Sequence, residues 1–212
     1  MPNPPSARSV KISADERGGW SSDRPRRDGA PPRPPDISTR CRVLRPSDRI
    51  RYSPGSLLIV ACASSAERDA FVSRLIEDRA SLLSLDKVRG LLAGRVEAEE
   101  MEERASELLS AAVLKRLEAN ETVVIAAQGL DAQEREPYLR AAARLRRPRH
   151  LILIETGREQ VPEEARPALN ELRRALDTGE LGGEGIQTAL RLGGGSAGEL
   201  KRILFRPPPR DE

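Results

Sequence analysis

The chain has very few rings. Aromatic residues make up 2% of its 212 residues, so a row of stacked aromatics that could grip unpaired bases is not expected. The interior has to be filled by Leu, Ile, Val and Ala. Cysteine is nearly as scarce: Cys41 and Cys62 are the only two, which suggests neither a disulfide framework nor a zinc site and fits a reducing compartment. No apolar run reaches the roughly 18 residues that cross a bilayer. The Pro- and Arg-broken N-terminus lacks the apolar stretch of a secretory signal. A cytoplasmic protein with no membrane partner and no metal ligands is therefore expected.

Charge is present but unevenly spread. The formal net charge is +3, yet residues 1–55 hold twelve Arg or Lys against six Asp or Glu, and the remainder holds 24 against 27. The basic excess thus belongs to the N-terminal segment, which could hold nucleic acid or an acidic partner by charge alone. A solvated tail with no partner is the plain alternative. The same 55 residues carry ten of the seventeen prolines and few large apolar side chains, too little apolar surface to offset the entropy of ordering. We read residues 1–55 as a disordered Pro/Arg-rich tail, 56–192 as one domain, and 193–212 as a Gly/Pro-rich C-terminal tail.

Between the tails, apolar runs alternate with helical periodicity. Leu57 to Ala61 (LLIVA), Thr122 to Ala127 (TVVIAA) and Leu151 to Ile154 (LILI) read as strands buried on both faces. Ser81 to Leu85 and residues 186–192 are candidates for two more. Residues 97–119 predict the clearest helix, with Met101, Ala105, Leu108, Leu109, Ala112, Val113 and Leu117 along one stripe. Asp131 and Glu134 predict a capping box for a helix to about residue 145, and Pro162 with Glu163 and Glu164 opens a further one. The order predicts an α/β fold: a three-layer sandwich with a mainly parallel sheet of about five strands. Residues 57–61 should be its central strand, with 122–127 on one side and 150–154 on the other.

In such a domain the turn after the first strand is where a nucleotide's phosphates sit, on a G-x-x-x-x-G-K-[ST] loop. Here that turn reads Cys62-Ala63-Ser64-Ser65-Ala66-Glu67-Arg68-Asp69, without a glycine. Register on Phe71 puts Arg68 at the Lys position, Asp69 at the magnesium-hydroxyl position and Glu67 at a glycine position. Ser64 or Ser65 is equally an ordinary helix cap. Glycine-free backbone resists positive φ, so the expectation is a tight turn with Glu67 or Asp69 pointing into the phosphate space, not an open loop with an inward Arg68.

Residues 57–192 resemble the bacterial polynucleotide kinase-like P-loop family. The likeness rests on LLIV with the loop and helix after it, SLDKVRGLLAG at 84–94, TVVIAAQGLDAQEREPYLRAA at 122–143 and VPEEARPALNELRRAL at 161–176. The resemblance implies a P-loop kinase-like fold and ATP- and Mg2+-dependent phosphorylation of 5′-hydroxyl ends in nucleic-acid repair. By position, Asp86 would be the base for the attacking hydroxyl and Arg89 its neighbour, both catalytic only in an active enzyme. Ser64, Ser65, Arg68, Asp69, Arg135 and Arg158 would face the nucleotide. The strand-end D-A-T-N segment reads Ala126-Ala127-Gln128-Gly129, and only six residues separate Ile154 from Val161, too few for an Arg-bearing lid helix. With cradle, strand-end carboxylate and lid all missing, the expectation is a pseudoenzyme with no cofactor that binds a protein or nucleic acid through Arg89, the Arg144–Arg149 patch or the basic tail. The alternatives are an active kinase with an unconventional loop and a purely structural relic. His150, with no Cys, Ser or carboxylate near it in sequence, is assigned no catalytic role.

Overall fold

A computed structural model describes residues 34–193 and 195–207. Six strands form one sheet: β1 (Arg42–Leu44), β3 (Leu57–Cys62), β4 (Leu82–Ser84), β5 (Val123–Ala126), β6 (Arg149–Ile154) and β7 (Thr188–Leu192). Their order is β1-β7-β6-β3-β5-β4, every neighbouring pair parallel. All six residues of LLIVAC in β3 are buried, and β5 and β6 flank it. Parallel strands need helical crossovers on both faces, which is why these runs are apolar throughout rather than alternating.

The crossovers are α1 (Ser65–Leu75), α2 (Leu85–Leu92), α3 (Met101–Glu118), α4 (Ala132–Arg144) and α5 (Arg166–Thr178). In α3 the buried residues are Ala105, Leu109, Val113 and Leu117, one every fourth position; Leu108, expected on this stripe, is 49% exposed. One core lies between the sheet and the α3, α4 and α5 side, and a second between the sheet and α1. This is the three-layer sandwich expected, with six strands in place of about five.

The sixth strand comes from the segment read as a tail. The described residues from 36 to 207 belong to one compact unit. Within it Thr39 N–H bonds Gly182 C=O at 2.8 Å, and a side chain at Gly182 would strike the Thr39 carbonyl. β1 then extends the sheet beside β7. Next, β2 (Arg49–Tyr52) pairs in parallel with β8 (Arg202–Phe205), which follows the short helix α6 (Gly195–Glu199) inside the expected C-terminal tail. Ile50, Tyr52, Leu200 and Ile203 are buried against Phe71, Leu75 and Leu190. A few apolar residues spaced by two suffice for such strands when a finished core awaits them, and proline content hid this. The disorder expected of residues 1–33 and the tail expected at 208–212 fall outside the described residues.

His150, second residue of β6, is a core residue. Its ring stacks on Tyr52 at 4.2 Å between centroids, and Nδ1 lies 2.7 Å from Thr188 Oγ1. Nε2 is buried with no hydrogen-bond partner among the described residues. Burial first, and the charge of Arg149 second, push its pKa from 6.5 down to about 4. The unfolded chain therefore takes up a proton that the folded one refuses: stability is intact above pH 6.5 and declines as pH falls toward 4, by about 3 kcal/mol in all. Urea denaturation at pH 7 and at pH 5 should show this slope, and His150→Phe should remove most of it; an unchanged slope would assign the effect to other groups.

Candidate functional site

The crevice at the C-terminal end of a parallel sheet is widest where crossovers leave in opposite directions. Here that point lies between β3 and β6, because β3 leads toward β4 on one side while β6 leads toward β7 on the other. The connection from β3 to α1 is Ala63 and Ser64 alone. Ser64 is the N-cap, with φ −109°, and its hydroxyl accepts the Glu67 N–H at 3.3 Å. Ser65 is the exposed first residue of the helix. A phosphate nest needs left-handed residues. Among the described residues positive φ occurs only at Asn120, Arg146 and four glycines, none of them between 62 and 69.

Across the crevice, the buried Thr156 hydroxyl donates to Glu67 Oε2 at 2.8 Å and lies 3.2 Å from Cys62 Sγ. A carboxylate thus sits at the N-terminus of α1, where the helix dipole favours an anion. The Cys62 thiol is pushed up, by burial above all, and stays protonated.

Arg68 departs from the expectation that it would not point inward: its side chain is fully buried, although the turn before it is not an open loop. The guanidinium donates to the carbonyl of Ala127, beyond β5, and to Asp69 Oδ1 at 2.9 Å, with Asp86 Oδ2 at 3.4 Å. The physical reason is that a planar fork of five donors can bond a carbonyl and two carboxylates at once, while its stem fills the space beside the sheet. Asp86, in the first turn of α2, accepts from Gln128 Nε2 at 2.8 Å and from Arg89 NH1 at 2.8 Å. Arg89 in turn forks onto Glu102 of α3 at 2.7 Å. The bond from Gln128, then Arg89 and the charges of Arg68 and Arg89, outweigh partial burial and lower the Asp86 pKa. Asp86 is consequently ionised but a weak base.

The remaining candidates stand elsewhere. Arg135 is buried and bonded to Glu184 through Nε at 2.5 Å and NH2 at 2.7 Å, and to Leu130 C=O at 2.6 Å; it braces α4 to the segment before β7. Arg158 opens a single 3-10 turn, Arg158–Gln160, and there is no lid helix between β6 and α5. Glu155 beside it is bonded to Arg173 and Arg191, which overcome the effect of burial and keep its pKa low. The Arg144–Arg149 patch is dispersed: Arg147 bonds Leu117 C=O and Asn120, Arg149 is buried on Gly185 C=O, and only Arg144 and Arg146 are exposed.

Three participants were invisible in the sequence. Gln128, Glu102 and Thr156 reach the site across separations of 42, 13 and 89 residues to the side chains that they bond. A fourth was misassigned. Asp131 is the N-cap of α4 without a side-chain bond, and Glu134, expected in a capping box with it, instead accepts the backbone N–H groups of Gln128 and Gly129, both at 2.6 Å. Two consecutive donors at the end of β5 are a stronger anion trap than one cap.

This fold and crevice define a P-loop NTPase-like α/β domain. Residues 68–167 match the model of a family described as an AAA domain, which supports a likeness to the P-loop NTPase superfamily; the match begins at Arg68, after the turn. No curated protein matches the chain.

Arg135 and Glu184 provide a test of the packing behind the crevice. Breaking a buried pair leaves one charge unanswered, so Arg135→Ala should cost about 3 kcal/mol in urea denaturation, whereas Arg135→Met with Glu184→Leu should cost far less. Equal losses would show that cavity formation, not the stranded charge, is responsible.

Proposed function

We propose that the domain is a catalytically silent relative of the polynucleotide kinase-like fold that acts by binding a protein or nucleic-acid partner, without ATP or Mg2+. The reading rests on one observation: the Glu67 carboxylate, held by Thr156, occupies the crevice where phosphate would lie, behind a two-residue turn with no left-handed residue. A triphosphate brought there meets a carboxylate rather than a cradle of N–H groups, and the cation nearest by sequence, Arg68, is already bonded to Asp69 and Ala127. The retained Asp86 is explained as an ion-pair junction, since both of its oxygens carry donors.

Calorimetric titration of the full chain with ATP and Mg2+ should give no saturable heat at concentrations up to about 1 mM, the level that corresponds to roughly 4 kcal/mol of binding. Micromolar affinity would overturn the proposal. Phosphate transfer to a 5′-hydroxyl oligonucleotide that Asp86→Asn abolishes would establish the active kinase in its place.

A further inference from the structure

A cleft of about 640 Å3 lies at the other end of the sheet. Ser81 and Thr122, on its walls, directly precede β4 and β5, so it opens at the N-terminal ends of the strands and is remote from the crevice. One wall is Ile203, Leu204, Phe205 and Arg206, with no residue of β2. Because β8 has β2 as its single neighbour among the described residues, the cleft runs along the edge of β8 that no described strand pairs with. An open edge presents a row of N–H and C=O groups to a further strand.

The small sheet has two chemically distinct faces. Ile50, Tyr52 and Ile203 are buried, and Phe205 packs on Tyr52 at 5.9 Å. Arg49, Arg51 and Arg202 point outward, and Arg206 follows, also exposed. Arg49 and Arg202 stand directly opposite one another in the register, an arrangement that repels. Their present partners are long, exposed ion pairs and one carbonyl: Asp48 at 3.8 Å from Arg49, Glu77 at 3.9 Å from Arg202, and Pro207 C=O, which accepts from Arg51 at 3.1 Å, contacts of little strength in water. Across the cleft the acids are engaged, Asp78 with the Ala80 N–H at 2.9 Å and Glu121 with Arg116 at 3.9 Å.

We propose that this edge binds an extended peptide of alternating acidic and apolar residues, which adds to β8 as a third strand. Side chains on a strand alternate between faces, so one set of the added strand meets the arginine face and the other enters the cleft beside Ile203 and Phe205. Backbone pairing supplies affinity, and the alternation supplies specificity. A single-stranded nucleic acid fits less well. Of the rings nearby, Tyr52 is buried and Phe205 stands in the cleft wall, so the cationic face offers no aromatic surface for a base. The inference is independent of whether the domain binds ATP.

Fluorescence anisotropy with the full chain at low ionic strength tests it, using a short dye-labelled peptide of alternating Glu and Val as the probe. That peptide should bind at least about tenfold more tightly than the same residues arranged in two blocks. Arg202→Ala with Arg206→Ala, both exposed and neutral to the fold, should weaken binding about fivefold. N-methylation of alternate amides in the probe should abolish binding without touching the protein. Equal affinity for the block peptide or the N-methylated probe would overturn the proposal. So would tighter binding of an oligothymidylate, or a dimer in sedimentation that the same arginine substitutions dissociate, which would assign the edge to nucleic acid or to a second copy.

Discussion

A fully buried guanidinium organises the C-terminal end of this sheet. Once Arg68 is inside, its charge and donors have to be answered, because an unpaired ion in the interior costs several kcal/mol. Ala127 C=O answers from β5, Asp69 from its own helix and Asp86 from α2. Each partner then brings its own requirement. Asp86 draws in Gln128 and Arg89, and Arg89 draws in Glu102, so that α1, β5, α2 and α3 are joined by one chain of charge-assisted bonds. Such bonds are shorter and stronger than neutral ones, and they occupy the donors that a ligand would otherwise use.

Two further carboxylates close the same end. Glu67 bridges to Thr156 across the β3–β6 crevice, and Glu134 takes the N–H pair at the end of β5. In P-loop domains the N-terminus of the helix after the first strand is where an anion is held by backbone dipoles; here the Glu67 side chain stands at that end of α1. The substitution is self-consistent. A two-residue turn has no room for a wide nest, and a carboxylate is the group that a bare helix N-terminus favours.

The opposite end is organised differently. β2 and β8, from the two ends of the domain sequence, close over the α1 side of the sheet and leave one edge of β8 without a neighbouring strand among the described residues, beside a face of exposed arginines. Tyr52 ties this layer to the main sheet through His150. An edge of this kind is commonly protected by charge against unwanted pairing, and the same charge confers selectivity for a complementary strand.

Apolar runs and helical periodicity by themselves determined the parallel α/β sandwich and the central place of LLIVA, because a strand covered on both faces has to be apolar at every position. The missing glycines likewise determined that the turn before α1 would be tight, since φ is restricted by local sterics. What the sequence could not convey depended on distance along the chain. β1 and β2 are too short and too rich in arginine to announce themselves, and form because Gly182, β7 and β8 offer them a place. Arg68 and Arg135 entered as residues that a resemblance sets toward a nucleotide; nothing local marks them as buried, and only tertiary structure set an Ala127 carbonyl and a Glu184 carboxylate where burial became affordable. Local patterns report what a segment must hide from water; which polar groups meet inside is decided by the packing of segments remote from one another in sequence.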